Sequence, residues 1–211
     1  MLVRSAPAVL VVSLLAALAP GALAAPPAPF GHACAPSSGA LLCATGNDAA
    51  RVPSFDGVPL DVDVWLPATG DGPFPTIAML HGFGGSKTAF EGGDPAYNAA
   101  FFARNGYAVV APSARGFGRS CGVPDSRTGA CTRGWIHLDD QRYEARDVQW
   151  LLAKLVDQLV ARPDQLGVTG ISYGGGTTME LAMLADRIRR PDGVTESWQS
   201  PDGVPLHIAA A

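Results

Sequence analysis

GISYGGG, residues 170–176, decides the fold of this chain because it joins a strand pattern to a helix pattern. The apolar run QLGVTGIS (165–172) predicts a buried strand, and YGGGTTMELAMLAD (173–186) predicts the helix that follows it. Gly-x-Ser-x-Gly at such a junction indicates a sharp turn that exposes the serine above the sheet. The helix N-terminus beneath this turn favours developing negative charge. Ser172 is therefore the candidate nucleophile.

The glycines of this turn have a predicted packing role. We expect the absence of a side chain at Gly170 and Gly174 to be needed, because the strand and helix backbones pass close to each other there. Two other interpretations are a Gly-Ser turn that caps an ordinary helix and a phosphate-binding loop. A P-loop needs a lysine, which this stretch lacks. The setting between a strand and a helix favours the nucleophile turn.

The rest of the chain alternates strand and helix patterns. VPLDVDVWLP (58–67) has apolar residues at every second position, which predicts a half-buried antiparallel strand. Nearly continuous apolar runs predict further buried strands, and apolar stripes predict helices. In chain order these are strand 76–82, helix 95–105, strand 107–113 and helix 139–161. The alternation predicts an α/β fold, a mostly parallel sheet flanked by helices.

A second glycine-rich stretch, HGFGG (81–85), follows the first buried strand, where hydrolase folds place the loop that binds an oxyanion. Its small residues let backbone N–H groups face the pocket. We predict that the N–H groups of Phe83 and Tyr173 are the two donors. His81 is interpreted as a residue that shapes the loop by hydrogen bonding, with a role as the catalytic base as the alternative. The glycines expected to open the loop are Gly82 and Gly84.

HGFGG, APSARGFGRSCG (111–122) and GISYGGG, in that order and spacing, resemble the α/β-hydrolases. More narrowly, they resemble the Xaa-Pro dipeptidyl-peptidase and cocaine-esterase-like serine hydrolases, from about residue 52 onward. The resemblance implies an α/β-hydrolase fold and cleavage of an ester or peptide bond. Members of this group often use a tyrosine hydroxyl in the oxyanion site. This chain has Phe83 in that loop, so its donor is expected to be backbone.

A nucleophilic serine also needs a histidine base and a carboxylate, which follow the serine in chain order in this fold. His207 is the one histidine after Ser172, and it lies on PLHIAAA (205–211), which predicts the start of a strand. The downstream aspartates are interpreted as solvated charges: Asp186, Asp192 and Asp202. We therefore expect the N-terminal part of a longer hydrolase, truncated after the nucleophile helix, whose Asp and His lie further downstream.

The N-terminus carries the pattern of a secretory signal peptide. Arg4 precedes the apolar run APAVLVVSLLAALAP (6–20), and Ala-Leu-Ala at 22–24 offers small residues for cleavage. A membrane anchor is the alternative, but the run falls short of the roughly 20 residues that a span needs. We predict a signal peptide at 1–24, an irregular mature N-terminus at 25–50 and a hydrolase domain from 51 to 211.

Four cysteines accompany this export signal. An oxidising compartment predicts disulfides, and we favour two local pairs over the other connectivities that four cysteines allow. A zinc site is the alternative, although no CxxC or HxxxH spacing supports it. The expected pairs are Cys34 with Cys43 and Cys121 with Cys131.

Composition bounds the partners. The net charge is -4 without a cluster of Lys or Arg, which does not favour nucleic acid as a partner. We expect a secreted or periplasmic protein that acts on a small ester or peptide, uses no metal or organic cofactor and does not bind a membrane once the signal peptide is cleaved. The competing hypothesis is a secreted binding protein that keeps the hydrolase fold without catalysis. The sequence makes no prediction of oligomeric state.

Overall fold

A computed structural model describes residues 28–122 and 127–211 of the protein. The predicted signal peptide at 1–24 lies outside the described residues. The helices are α1 Ala99–Arg104, α2 Glu144–Asp157 and α3 Tyr173–Leu184. The strands are β1 Cys34–Ser37, β2 Ala40–Ala44, β3 Val52–Pro53, β4 Pro59–Leu60, β5 Val62–Leu66, β6 Phe74–Leu80, β7 Ala108–Pro112, β8 Ala161–Gly170, β9 Arg187–Arg189, β10 Thr195–Ser197 and β11 Ile208–Ala210.

The central sheet has the strand order β1-β2-β5-β7-β6-β8-β11. Strand β6 pairs in parallel with both β7 and β8, and β11 pairs in parallel with β8. On the other side, β7, β5, β2 and β1 are joined by antiparallel pairing. The carboxyl ends of β6, β7 and β8 therefore lie at one edge of the sheet, where α/β folds place their ligand sites.

Two apolar layers hold helices against this sheet. On one face, α2 and α3 pack in the main core, to which Leu151, Leu155 and Leu181 belong. On the other face, α1 packs in a smaller cluster with Trp65 and Met79. Alternate residues of β5, β6 and β7 enter opposite clusters because side chains alternate across a strand. The α/β fold predicted from the element order is confirmed, with a sheet that is mixed at one side.

The interval 25–50, predicted to be irregular, instead contains an ordered hairpin. Strands β1 and β2 pair with Cys34 opposite Cys43. Strand β2 also pairs with β5, so the hairpin forms the outer edge of the sheet. The turn uses Ser38 and Gly39 with φ of 49° and 76°, the left-handed conformation that suits a tight hairpin. A Pro-rich composition concealed this pattern.

Strand β5 is wrongly predicted as half-buried, since all five of its residues are buried. The alternating pattern predicts that the side chain of Asp63 faces solvent. Its carboxylate instead lies 2.7 Å from the ammonium of Lys87, which also lies 3.0 Å from Asp61. A cation supplied by a later loop therefore allows these aspartates to be buried.

Several predicted boundaries also differ from the structure. The helix predicted at 139–161 begins only at Glu144, because Leu138 and Asp139 have φ of 61° and 59°. It ends at Asp157, which leaves β8 to begin at Ala161, four residues before the prediction. After α3, strands β9 and β10 form an antiparallel hairpin that the sequence patterns did not predict.

Both disulfides are local, as expected. Cys34 bonds to Cys43 across the β1–β2 hairpin, and Cys121 bonds to Cys131. None of the helices within residues 28–122 and 127–211 is both long and apolar enough to cross a membrane.

Candidate active site

Ser172 lies on a strained turn between β8 and α3. Its backbone has φ of 54° and ψ of -113°, a left-handed conformation that costs free energy for a residue with a side chain. The side chain is exposed at the carboxyl end of the sheet, and it does not cap the helix. The turn thus presents a bare hydroxyl to solvent beside a helix N-terminus.

Two glycines make this turn sterically achievable. A Cβ at Gly170 would lie 2.3 Å from the carbonyl carbon of Gly174, and a Cβ at Gly174 would lie 2.1 Å from the carbonyl oxygen of Leu80. Side chains do not tolerate contacts this short. The strand and helix backbones can therefore cross here only when both positions are glycine, which is the packing role expected from the sequence.

The HGFGG loop borders the serine. A Cβ at Gly82 would lie 3.6 Å from Cβ of Ser172, so the loop backbone passes directly beside this serine. Gly84 has φ of 79°, and Gly85 N–H donates to the carbonyl of Gly82 at 2.9 Å, which closes the loop into a turn. This reversal places the residue between Gly82 and Gly84 at the rim of the site.

The two predicted oxyanion donors carry no partner among the described residues. No hydrogen bond of residues 28–122 and 127–211 uses the backbone N–H of Phe83 or of Tyr173. Tyr173 is the first residue of α3, so its N–H belongs to the first turn of the helix, where donors have no helical acceptor. Both groups are available to a ligand at Ser172.

His81 has both ring nitrogens engaged. Nδ1 lies 2.7 Å from the carbonyl of Gly82, and Nε2 lies 2.9 Å from the backbone nitrogen of Ala114. A carbonyl accepts and an N–H donates, so Nδ1 carries the proton and Nε2 accepts. Burial lowers the pKa of this imidazole, which favours the neutral ring. His81 therefore holds the loop to the end of β7 and has no free nitrogen for the proton of Ser172.

An aromatic cluster forms one wall of the site. The Phe83 ring meets Phe117 at 5.1 Å and Tyr173 at 5.7 Å, both edge to face. Phe117 and Tyr173 are buried, whereas Phe83 is 63% exposed. This ring is therefore the apolar surface that a substrate would meet first beside the serine.

A buried carboxylate lies behind this wall. The Tyr173 hydroxyl donates to Oε1 of Glu144 at 3.2 Å, and burial raises the pKa of the Glu144 carboxyl. Sequence patterns alone did not single out Glu144. It falls on the apolar stripe of α2 with Val148 and Leu151, and a carboxylate in such a stripe is the signal that could have found it.

The downstream acid and base candidates do not reach Ser172. No hydrogen bond among the described residues involves the Ser172 hydroxyl. His207 is exposed beside β11. The three downstream aspartates are also exposed, and Asp186 and Asp192 lie near Arg187 and Arg190 respectively. Across both described ranges, no group of three or more His, Cys, Asp or Glu side chains could hold a metal ion.

Comparison with known proteins places this site in a family context. Residues 56–190 match the family described as X-Pro dipeptidyl-peptidase (S15 family). A CocE/NonD family hydrolase from Staphylococcus aureus superposes with a TM-score of 0.50 at 23% identity, covering 69% of this chain and 25% of that chain. A cold-adapted esterase from an Arctic intertidal metagenomic library superposes with a TM-score of 0.50 at 16% identity, covering 71% and 58%.

At these identities the likeness shows the α/β-hydrolase fold, and the chain spans 25% of the length of the Staphylococcus aureus hydrolase. No curated protein sequence matches the chain.

Proposed function

The chain belongs to the X-Pro dipeptidyl-peptidase (S15) family, and on that premise we propose that it is the nucleophile-bearing part of a secreted serine hydrolase. The reaction is cleavage of an ester or peptide bond through an acyl-enzyme on Ser172. One observation carries the proposal. An exposed serine on a strained strand-to-helix turn lies next to two backbone N–H groups that have no partner among the described residues.

The proposed chemistry follows from the arrangement of these groups. The hydroxyl oxygen of Ser172 attacks the substrate carbonyl, and the N–H groups of Phe83 and Tyr173 bind the oxygen as it becomes negative. A histidine base takes the proton of the Ser172 hydroxyl and delivers it to the alcohol or amine, whose bond to the carbonyl carbon breaks as the carbonyl reforms, which yields the acyl-enzyme. Water then attacks the acyl group and regenerates the serine.

The base for this reaction must come from another histidine. His81 has both nitrogens occupied, and His207 is exposed beside β11 without a hydrogen bond to the serine. We propose that the histidine and the aspartate that orients it are contributed by polypeptide outside these 211 residues. The share of the Staphylococcus aureus hydrolase that this chain covers, 25%, agrees with such an arrangement.

Secretion is part of the proposal. Two disulfides within the described residues fit an oxidising compartment, where such bonds persist. The apolar N-terminal run supplies the export signal. The mass of the natural product in culture medium tests this directly. Loss of the first 24 residues supports export, and retention of the intact run in the cell fraction contradicts it.

Labelling by a fluorophosphonate tests the nucleophile. The full-length protein should react covalently, and the adduct should map to Ser172 by peptide mass spectrometry. Ser172→Ala should abolish labelling, while Ser197→Ala, at another exposed serine, should leave it intact. Absence of labelling in the folded wild-type protein would favour the non-catalytic binding protein.

Two substrates separate the finer assignments. An N-terminal Xaa-Pro dipeptide amide, such as Gly-Pro-p-nitroanilide, tests a dipeptidyl-peptidase, and p-nitrophenyl butyrate tests an acyl esterase. We propose that both are substrates by the same acyl-enzyme route, and Ser172→Ala should remove both activities together. Loss of only one would show that the other comes from a different site.

A further inference from the structure

We propose that Glu144 is a positioning residue for the nucleophile turn and acts through the hydroxyl of Tyr173. This inference rests on the proposed function, because it concerns the same serine. Glu144 is 2% exposed and Tyr173 is 8% exposed, so their hydrogen bond at 3.2 Å lies in the protein interior. Water does not compete for buried hydrogen bonds to a carboxylate, so such bonds keep their geometry well.

The carboxylate also holds the loop that precedes α2. Its Oε1 accepts from the backbone N–H of His137 at 2.6 Å, and its Oε2 accepts from the backbone N–H of Asp140 at 3.2 Å. One side chain therefore fixes residues 137–140 from within the core. Within this segment, Leu138 and Asp139 have the left-handed backbone that delays the start of α2.

The same loop returns to α3 and closes a ring of hydrogen bonds. The backbone N–H of Asp139 donates to the Tyr173 hydroxyl at 3.3 Å, and the Thr177 hydroxyl donates to Oδ1 of Asp139 at 2.7 Å. A Cβ at Gly176 would lie 2.4 Å from Oδ2 of Asp139, so this carboxylate fits only against a glycine. The last glycine of GISYGGG, which the turn itself does not require, is explained by this contact.

This ring of hydrogen bonds acts on the reacting groups through Tyr173. Tyr173 directly follows Ser172, and its backbone N–H is one of the two oxyanion donors. Fixing its phenol fixes the first turn of α3, and hence the position of that N–H and the strained backbone of Ser172. Donors that are already in place need no rearrangement in the transition state, which is where such groups gain their effect.

A purely structural role explains Glu144 poorly, because an apolar side chain could fill the same space. A buried carboxylate costs free energy that a well-packed apolar side chain of similar volume does not. Burial indeed raises the pKa of Glu144 and of the Tyr173 phenol, which disfavours both charged forms. We expect a hydrogen-bond network with this cost at the nucleophile turn because it fixes the positions of the Tyr173 N–H and of Ser172.

Kinetics of fluorophosphonate inactivation test the proposal on the full-length protein. The variants are Glu144→Gln, Tyr173→Phe and the double variant. The matched controls are Glu196→Gln and Tyr107→Phe, at more exposed positions outside the ring. Each protein is assayed below its own unfolding temperature, so that folded protein alone is compared. The two measured constants are the limiting inactivation rate and the concentration for half-maximal rate.

Tyr173→Phe should lower the limiting rate about tenfold because it removes the donor, and Glu144→Gln about threefold because its amide oxygen is a weaker acceptor, with the half-maximal concentration changed by less than about twofold. The double variant should be no slower than Tyr173→Phe, because without the phenol hydroxyl Glu144 has lost the group through which it acts. The controls should match the wild type. Loss of folded protein alone would not change the rate of the molecules that remain folded.

Unchanged limiting rates in both single variants would overturn the inference while leaving the proposed function intact. Additive effects in the double variant would also overturn it, since Glu144 would then act by a route other than Tyr173. If Glu144→Gln does not fold, Tyr173→Phe decides alone. A wild-type protein that does not label overturns the proposed function and this inference together.

Discussion

Arg115 and Asp147 form a buried, two-pronged ion pair that ties the turn after β7 to helix α2. Nε of Arg115 lies 2.7 Å from Oδ2, and Nη2 lies 2.5 Å from Oδ1. Asp56 contacts the same guanidinium at 3.0 Å. The Arg115 side chain is fully buried, and burial of Asp147 raises the pKa of its carboxyl in opposition to this cation. The arginine therefore stabilises a carboxylate that the interior alone would protonate.

Asp147→Asn should destabilise the protein strongly. Removing one partner of a buried ion pair costs up to about 3–5 kcal/mol, and Arg115 would keep Asp56 as its one remaining carboxylate partner. Urea unfolding should report this loss. The matched control is Asp164→Asn, at a side chain that is 63% exposed and lies 3.6 Å from Arg162, where the expected change is about 0–1 kcal/mol. Equal effects at the two sites would contradict the prediction.

Adjacent glycines offer a sharp test of the nucleophile turn. Gly174→Ala should abolish fluorophosphonate labelling, because its new methyl group would meet the Leu80 carbonyl oxygen at 2.1 Å. Gly175→Ala is the control, since the nearest atom outside its own turn lies 3.6 Å away and alanine favours a helix by about 1 kcal/mol. Labelling that survives in Gly174→Ala would mean that the turn is less crowded than the structure shows.

His81 should make the stability of the protein depend on pH. Burial lowers its pKa below the ordinary value of 6.5, so the unfolded chain takes up a proton before the folded one. The free energy of unfolding should therefore fall as pH drops below about 6.5 and be fully present above it. His81→Gln should remove this component, seen as a shallower slope between pH 7 and pH 5. An unchanged slope would show that another group is responsible.

Glu180 should give the opposite dependence. Burial, followed by the nearby carboxylates Asp139 and Asp140, raises the pKa of Glu180 to about 7. A raised pKa means that the folded state holds its proton longer, so stability is lost as pH rises from 4.5 towards 7. Glu180→Gln should therefore be more stable than the wild type at pH 8 and similar to it near pH 4.5. Thermal unfolding at both pH values measures this, and a constant difference would refute it.

The sequence predicted most successfully what is encoded locally. The turn at GISYGGG, the parallel strands around it and the order of helices follow from patterns within about a dozen residues. Glycine also has a local signal, since crowding at Gly170 and Gly174 leaves it as the residue that fits. These features place Ser172 and the HGFGG loop at one edge of the sheet.

Two features that escaped prediction depend on residues far apart in the chain. The burial of Asp63 requires Lys87, which belongs to a later loop. The partner of Tyr173 is Glu144, 29 positions earlier, and no local pattern links them. The β1–β2 hairpin was hidden because its Pro and Ser residues are also those of irregular chain. For Asp63 and Tyr173, the fold supplies a partner that lies far away in the sequence.

Within the seven residues of GISYGGG, some positions are constrained by packing and one is not. Gly170 and Gly174 belong to the first kind, and Ser172 is the second. Both glycines are required by packing, so any descendant that keeps the fold must keep them, whether or not it performs chemistry. Ser172 is different, because it is exposed and its φ of 54° would suit glycine better than serine. A lineage released from catalysis would gain stability by replacing this serine first. Persistence of serine at this position among descendants would therefore record continued use of its hydroxyl, while the glycines would record only descent.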